Sequence, residues 1–330
     1  MPAIRINCFN FKRKIMLFKS MPPETDPVIY AIPFFVIAIS LEVYLNWKEK
    51  RDLYSDPKEA MSSIGMGLGS LVVNVIMKGL AYGAYSILFS YAIFKSLAPG
   101  SMTEFFSLHW HLTHWWVWGL LLLADDFSFY WHHRLSHEVR VLWAAHVNHH
   151  SSQSYNLATA LRQSWVEQLY KYFFWLWMPL LGFHPLMMLM MMSISLIYQY
   201  WPHTELIKRM PGWYEFIFNT PSHHRVHHAS NIRYLDRNHG GILIIWDRLL
   251  GTFAEERDTE KPVYGITSNI HSYNLFNIAF HEYGSLWKDI KSAPTFSDKI
   301  KYVFMPPGWS PAGPDLRAKT LRKQLADSEK

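Results

Sequence analysis

The sequence predicts an all-α protein: an integral-membrane helical bundle with a polar cap. Half of its 330 residues are hydrophobic and 16% are aromatic, which is typical of a membrane protein. Several apolar runs approach the roughly 20 residues that a spanning helix needs. Clusters of histidine follow these runs among basic residues, so a membrane anchor is combined with a polar, histidine-rich region.

The first two apolar runs lie in the N-terminal third of the chain. Residues 28–47 carry one charged side chain, Glu42, and the basic segment 48–51 follows, which is typical of a span that ends at the cytoplasmic face. Residues 62–94 are too long for one perpendicular span. They form either one strongly tilted helix or two segments broken near 79–83.

Two further runs bring the expected number of membrane-embedded helices to four to six, hence a multi-pass protein. Residues 109–131 lead directly into the first histidine cluster. Residues 169–201 divide at 182–185 into two stretches that are short for spanning, so we interpret them as a helical hairpin. Asp125 and Asp126 are costly in lipid, which favours an inward functional orientation; the alternative, that they mark a helix end at the interface, fits Asp125 better than Asp126.

Three histidine clusters predict a site for two metal ions. They lie in WHHRLSHE (131–138), HVNHH (146–150) and SHHRVHH (222–228). Their motif histidines are His133, His137, His146, His149, His150, His224, His227 and His228. Residues three or four apart share a helix face, so each cluster can aim its nitrogens at a single point. Neutral imidazole suits iron, zinc, copper or nickel. Cys8 is the chain's one cysteine, which excludes a thiolate metal site.

The remaining histidines are not expected to be ligands, and the isolated ones are interpreted as packing or interfacial residues. The isolated ones are His109, His111, His114, His184, His271 and His281. His132 and His223 each adjoin a motif histidine but point about 100° away around a helix, so we expect them behind the ligands or at the surface.

The net charge of +6 and the basic ends do not predict a nucleic-acid partner, because no nucleic-acid-binding signature accompanies them. Basic flanks of a membrane protein commonly contact anionic head groups.

The expected domain organisation has three parts. We expect a tail over 1–27, a membrane-embedded domain over 28–255 with its motif core at 120–255, and a polar C-terminal extension over 256–330. Met21, before two prolines, is an alternative start.

The motifs resemble those of the sterol desaturase and fatty acid hydroxylase superfamily, whose members are integral-membrane di-iron oxygenases. Within it the chain is most similar to the alkylglycerol monooxygenase family. The residues that carry the likeness lie in HRLSHE (133–138), HHSSQSYNLATALRQS (149–164), HTE (203–205), NTPSHHRVHH (219–228) and GGILIIWDRLLGTF (240–253). His239 stands where that family more often has an aromatic residue, and we interpret it as a substitution rather than a ligand.

The resemblance implies a site for two Fe²⁺ ions, held by the eight motif histidines with His203 as a ninth ligand. It implies O2 as co-substrate, a lipid substrate and tetrahydrobiopterin as electron donor, with the histidine clusters on the cytoplasmic side. Glu138 and Asp126 are the candidate catalytic residues, and Glu138, Asn156 and Arg162 the candidate cofactor-binding residues. Carboxylates expected to orient the ligands are Asp126, Glu138, Glu205, Asp236 and Asp247.

Other functions stay open at this point. A cytochrome or ferredoxin donor would favour a sterol, fatty acid or carotenoid substrate, and hydroxylation and desaturation share one oxidant. A metal transporter needs its ligands in mid-span, whereas these clusters follow the apolar runs. A zinc hydrolase usually mixes in carboxylate ligands.

We predict that alanine at His146, His150 or His227 abolishes turnover and lowers bound metal, because each change removes a ligand. Alanine at His109 should leave activity within a few fold. Metal content and turnover of the purified variants measure both effects. Equal losses at His109 and His146 would show that the division into ligands and bystanders is wrong.

Overall fold

The computed structural model describes residues 26–330, which form helices and connecting loops without a strand, so the predicted all-α class is confirmed. The helices are Pro27–Lys48 (α1), Pro57–Phe89 (α2), Met102–Phe105 (α3), Leu108–Thr113 (α4), Trp115–Glu138 (α5), Arg140–His150 (α6), Glu167–Tyr170 (α7), Trp177–Leu181 (α8), Pro185–Tyr200 (α9), Gly212–Ile217 (α10), Pro221–His227 (α11), Ile245–Leu250 (α12), Leu275–Ser292 (α13), Phe296–Phe304 (α14) and Ala318–Ser328 (α15). Short 3-10 helices lie at Lys95–Leu97, Thr159–Leu161, Lys171–Trp175 and Ile232–Tyr234. The expected tail lies almost wholly outside the described residues, as do Cys8 and Met21.

Two helices within residues 26–330, α1 and α2, are long and apolar enough to cross a membrane. Each begins at a proline that follows an aspartate cap. The Asp26 carboxylate accepts from the Val28 N–H, and that of Asp56 accepts from the Lys58 N–H. Large apolar side chains on both helices face outward; Phe34, for example, is 76% exposed. An exposed apolar surface of this kind fits a lipid environment.

The second apolar run forms one helix, α2, without a break at 79–83. The third run is divided at His114 between α4 and α5, and α5 then continues through the first histidine cluster. The fourth divides at Gly182, as expected, because φ is +126° there. The stretch before this glycine is not one helix but several short pieces, so the expected hairpin is incomplete.

The C-terminal segment packs onto α6, the helix that carries the second histidine cluster. The Arg140 guanidinium, at the start of α6, pairs with Glu282 and Asp289 of α13 at 3.0 and 2.6 Å. Asn148 Nδ2 contacts the Ala279 carbonyl at 3.5 Å. Residues beyond 255 therefore form part of the framework that positions the clusters.

Glu42, the one charged residue in the first apolar run, is buried and connects α1 to the segments that flank the site. Its carboxylate accepts from the Leu157 N–H at 2.8 Å and from the Tyr54 hydroxyl at 2.6 Å. The Thr204 hydroxyl, next to His203, donates to its other oxygen. Helix α1 is therefore attached to the loop that carries His203.

Replacing Glu42 with Ala should lower the midpoint of thermal unfolding in detergent by several degrees. Each buried donor left without an acceptor costs about 1–3 kcal/mol. The matched control is Glu49→Ala, an exposed residue whose ion pair with Arg51 contributes little. Equal midpoints for the two variants would contradict this role of Glu42.

Candidate metal centre

Nine histidines converge on two adjoining points within the described part of the chain. The first group is His133, His137, His146, His150 and His227, and the second is His149, His203, His224 and His228. Within each group the candidate ligand nitrogens lie within 4.8 Å of one another, and all nine residues are buried. These are the nine histidines proposed as ligands from the sequence, including His203.

The second and third clusters are each divided between the two groups, so the expectation that one cluster aims at a single point is wrong. His146 and His150 share the first group, whereas His149 of the same helix belongs to the second. Likewise His224 and His228 share a group that excludes His227. Residues four apart differ by about 40° around a helix and residues three apart by about 60° in the opposite sense, so the i+3 residue can face a different point.

In the first group, four of the five Nδ1 atoms, those of His133, His137, His146 and His227, have acceptors outside the group. His133 Nδ1 donates to the His239 carbonyl and His227 Nδ1 to the Arg237 carbonyl, both at 2.8 Å. Carbonyl oxygens only accept, so the proton is fixed on Nδ1 and the lone pair on Nε2. The buried Nε2 atoms of His137, His146, His150 and His227 have no partner among the described residues. That arrangement leaves inward-facing lone pairs for a cation.

In the second group, the Nε2 atoms approach one another. His203 Nε2 lies 3.2 Å from His149 Nε2 and 2.9 Å from His224 Nε2. The Nδ1 atoms of His149 and His203 face backbone carbonyls at 3.3 and 2.9 Å. Burial holds the pKa of His149 well below its usual range, and it lowers the pKa of His203 to about 4. Protonation at Nδ1 leaves His149 and His203 with only a lone pair at Nε2, so these two atoms cannot hydrogen-bond to each other, and their 3.2 Å separation fits nitrogens that share a metal ion.

Carboxylates orient two ligands of the first group. Glu167 accepts from His146 Nδ1 at 3.1 Å, and Asp236 lies 3.3 Å from His137 Nδ1. Asp236 was among the candidates from the sequence, whereas Glu167 was missed. Its sequence position carries no motif, and the nearest signal was a lone glutamate in a largely apolar segment. Burial opposes the charge of Glu167, but His146 and His132 beside it hold its pKa well below the usual range.

Asp126 and Asp247 position the backbone around the site. Asp126 accepts from the Ile242 and Leu243 N–H groups at 2.7 and 3.0 Å and from the Trp246 indole at 2.9 Å. The Asp247 carboxylate accepts from the His239 and Gly240 N–H groups, both at 2.7 Å. The His239 carbonyl accepts from His133 Nδ1. By fixing the backbone here, the two carboxylates help to orient the His133 ring without contacting it.

The helix-end interpretation of Asp125 is wrong. It is buried within α5, well before the end of that helix at Glu138, and accepts from the Trp175 indole at 2.8 Å. Glu205 and Glu138 accept no hydrogen bond from a ligand histidine in the described structure. Glu138 instead pairs with Arg134 at 2.9 Å at the partly exposed end of α5.

The structure places Asn156 and Arg162 in the scaffold that supports the second group. Asn156 Nδ2 donates to the Leu53 carbonyl at 2.7 Å. The Arg162 guanidinium donates to the Asn148 carbonyl at 3.0 Å and to the Ser62 hydroxyl at 2.9 Å, which connects α2 to the end of α6. Neither residue lines either of the two cavities described below.

Three neighbours of the ligands are buried rather than exposed. His132 Nε2 lies 3.5 Å from Glu167, so His132 sits behind His146. His223 Nδ1 contacts the Thr220 hydroxyl at 3.3 Å. His239 is fully buried beside the first group, with Nδ1 3.6 Å from Asp247, but its nitrogens belong to neither group. The six isolated histidines also lie outside both groups.

Two cavities adjoin the centre. One of about 400 Å³, here the α1–α2 cavity, is lined by residues of those two helices together with residues of α5, α9 and the segment 160–175. Its surface is mostly apolar, although Lys78, Asp125 and Lys171 also line it, and it reaches five of the nine histidines. These are His133, His146, His149, His203 and His224. The other, of about 330 Å³, is the C-terminal cavity; it reaches His137, His150 and His227 and is walled in part by residues of 307–321.

Comparison with known proteins gives a consistent assignment. The family model for fatty acid hydroxylases matches residues 118–252. Alkylglycerol monooxygenase of Danio rerio is 36% identical over 325 residues, 96% of this chain and 69% of its own length. That of Homo sapiens is 36% identical over 314 residues, 95% and 67% respectively. Ornithine lipid hydroxylase OlsE of Rhizobium tropici is 30% identical over 159 residues, 48% of each chain. No solved structure matches the chain.

The chain belongs to the fatty acid hydroxylase family, as its motifs predicted. Within that family it is a homologue of the alkylglycerol monooxygenases and spans about two thirds of their length. The relatives indicate an enzyme of the monooxygenase or hydroxylase class that acts on lipids. The two candidate spans suggest a membrane location.

Replacing Glu167 with Gln should weaken metal binding by about 10–100-fold, because the amide no longer holds His146 as a carboxylate does. Glu138→Gln is the matched control, since its carboxylate contacts no ligand histidine. Competition with a chelator measures both affinities without reference to turnover. Unchanged metal affinity in Glu167→Gln would exclude this role.

Proposed function

We propose that the chain is a membrane di-iron monooxygenase that hydroxylates a lipid C–H bond with O2. The observation that supports this most directly is that five histidines of the two all-histidine groups line a mostly apolar cavity to which both candidate membrane helices contribute. A lipid chain suits that lining, and its reactive carbon would lie next to the histidines.

The donor set favours iron over zinc. Both groups consist of imidazoles, whereas catalytic zinc sites commonly include a carboxylate and keep one open position. Imidazole also suits non-haem iron. Two iron ions held by these residues would supply O2 binding and its reductive activation, chemistry that no acid or base side chain can provide.

The proposed substrate is an alkylglycerol, hydroxylated at the ether-linked carbon. One oxygen atom of O2 enters the C–H bond, and the other leaves as water with two electrons and two protons from the donor. The hydroxylated ether carbon is a hemiacetal, which separates into a fatty aldehyde and free glycerol. The names of the alkylglycerol monooxygenase relatives support this substrate, and tetrahydrobiopterin is the proposed donor.

The residues of the chain bind and orient the lipid. Side chains such as Ile32, Phe35 and Leu68 line the α1–α2 cavity and hold the alkyl chain by apolar contact. Gln199 lies at the histidine end of the same cavity. A largely apolar lining limits the water that reaches the reacting carbon.

The roles proposed for four further residues rest on the resemblance. Asp126 acts by positioning the backbone at 242–243, as its hydrogen bonds support. Glu138 is proposed as a catalytic and donor-binding residue, and Asn156 and Arg162 as cofactor-binding residues; since none of the three lines either cavity, each would act on the donor indirectly rather than by contact. For Asn156 and Arg162, the observed contacts support an indirect effect through the loop that holds His149.

A multi-pass arrangement with the histidines on the cytoplasmic side is part of the proposal. The basic residues Lys48, Lys50 and Arg51 directly after α1 support that orientation. A second candidate, hydroxylation of another polar lipid, is favoured by the ornithine lipid hydroxylase relative. A sterol, fatty acid or carotenoid substrate with a different electron donor is the broader alternative.

An assay of the purified, iron-loaded protein tests the proposed reaction. It contains O2 and an alkylglycerol, with and without tetrahydrobiopterin, and follows fatty aldehyde by mass spectrometry. We expect aldehyde and O2 uptake that depend on the donor. The absence of aldehyde with any donor would defeat the alkylglycerol assignment, and tight zinc with ester cleavage and no O2 uptake would defeat the oxygenase proposal.

A further inference from the structure

The two cavities reach the metal centre through separate sets of residues. The α1–α2 cavity borders His133 and His146 of the first group and three histidines of the second. The C-terminal cavity borders His137, His150 and His227, and the two linings have no residue in common. A molecule in one cavity can therefore contact the centre while the other cavity is occupied.

The C-terminal cavity has a different chemical character. Trp143 forms an aromatic wall, with its ring centroid 5.1 Å from that of His137 and 5.6 Å from that of His150. Asp236 lines it and uses Oδ1 for His137, while the described residues supply no hydrogen-bond donor to Oδ2. Ser230 and Thr267 add hydroxyl groups. The lining includes no residue of α1 or α2.

The C-terminal cavity is too small to admit part of a protein, but it can hold a compact small molecule. Its volume of about 330 Å³ lies at the lower end of the range for ligand sites, and it reaches three ligand histidines directly. An aromatic wall beside a carboxylate is suited to a planar heterocycle with N–H donors. O2 alone is too small to require such a lining.

We propose that the C-terminal cavity binds the electron donor, a compact heteroaromatic reductant that contacts Trp143 and donates an N–H to Asp236. This inference rests on the proposed monooxygenase function, which needs two electrons and two protons from a second reactant for each lipid hydroxylated. The donor is oxidised by two electrons next to His137, and the lipid occupies the α1–α2 cavity. Donor selectivity then depends on residues of 307–321, outside the segment that matches the family model.

The test fills each cavity in turn in the metal-loaded protein. Ala318→Phe adds a ring to the lining of the C-terminal cavity, and Leu71→Trp enlarges a side chain that lines the α1–α2 cavity. Ala326→Phe, the same change at an exposed position of α15, is the matched control. Calorimetric titration with tetrahydrobiopterin, without O2 or lipid, gives the donor Kd, and elemental analysis gives the metal content.

Ala318→Phe should raise the Kd and KM for tetrahydrobiopterin by about tenfold, because the added ring overlaps the bound donor. Its metal content and its KM for the lipid should stay close to those of the unchanged protein. Leu71→Trp should show the reverse pattern, and Ala326→Phe should alter neither constant. Should Ala318→Phe lose metal, Trp143→Phe replaces it and should likewise weaken donor binding while metal is retained.

Two outcomes separate this inference from the proposed function. Failure of the unchanged protein to bind tetrahydrobiopterin, with lipid product formed from a protein donor, overturns the donor site and leaves lipid hydroxylation in place. Binding that Ala318→Phe weakens, without fatty aldehyde from an alkylglycerol, supports the donor site and overturns the alkylglycerol substrate. Donor binding weakened by Leu71→Trp and not by Ala318→Phe also overturns the inference.

Discussion

The site depends on one constraint: buried neutral imidazoles must direct their lone pairs towards two small volumes. A neutral ring has one N–H, and only a fixed partner at Nδ1 keeps the lone pair on Nε2. The His239 and Arg237 carbonyls and the Glu167 carboxylate supply such partners. His224 Nδ1 has no partner among the described residues, so without a metal His224 can carry its proton on Nε2 and donate it to His203 Nε2 at 2.9 Å. Binding of a metal ion would require the lone pair of His224 at Nε2 instead.

Much of the remaining structure fixes the positions of the groups that accept hydrogen bonds from the histidine rings, or of the loops that carry those rings. Asp126 and Asp247 fix the loop whose carbonyl at residue 239 orients His133. Glu42 fixes the segment next to His203 from within α1, and Arg162 joins α2 to the end of α6. The candidate membrane helices therefore both line the α1–α2 cavity and support the histidine groups. A change in these helices can disturb the site without touching a ligand.

The two cavities border different histidines and differ in the chemistry of their linings. Apolar side chains of α1 and α2 lead to one set of histidines, and a smaller cavity with a tryptophan and a carboxylate leads to the other. The proposed reaction joins a lipid, O2 and a water-soluble reductant, and two separate cavities would let the lipid and the reductant reach the centre at the same time. The C-terminal segment packs on α6, which carries three of the histidines, and it also lines the smaller cavity. It can therefore affect both the positions of those histidines and the entry of a small molecule.

The sequence by itself indicated the helical class, the first two candidate spans and eight of the nine histidines, because apolar runs and i, i+4 spacing are local properties of the chain. The ninth, His203, was expected only from the family resemblance. Only the tertiary structure decided that His149 and His227 separate from their cluster neighbours, since that depends on how helices face one another. Glu167 and the C-terminal cavity were equally invisible in the sequence. Their contacts join segments far apart in the chain, and no local pattern records which buried carboxylate or loop will meet a given imidazole.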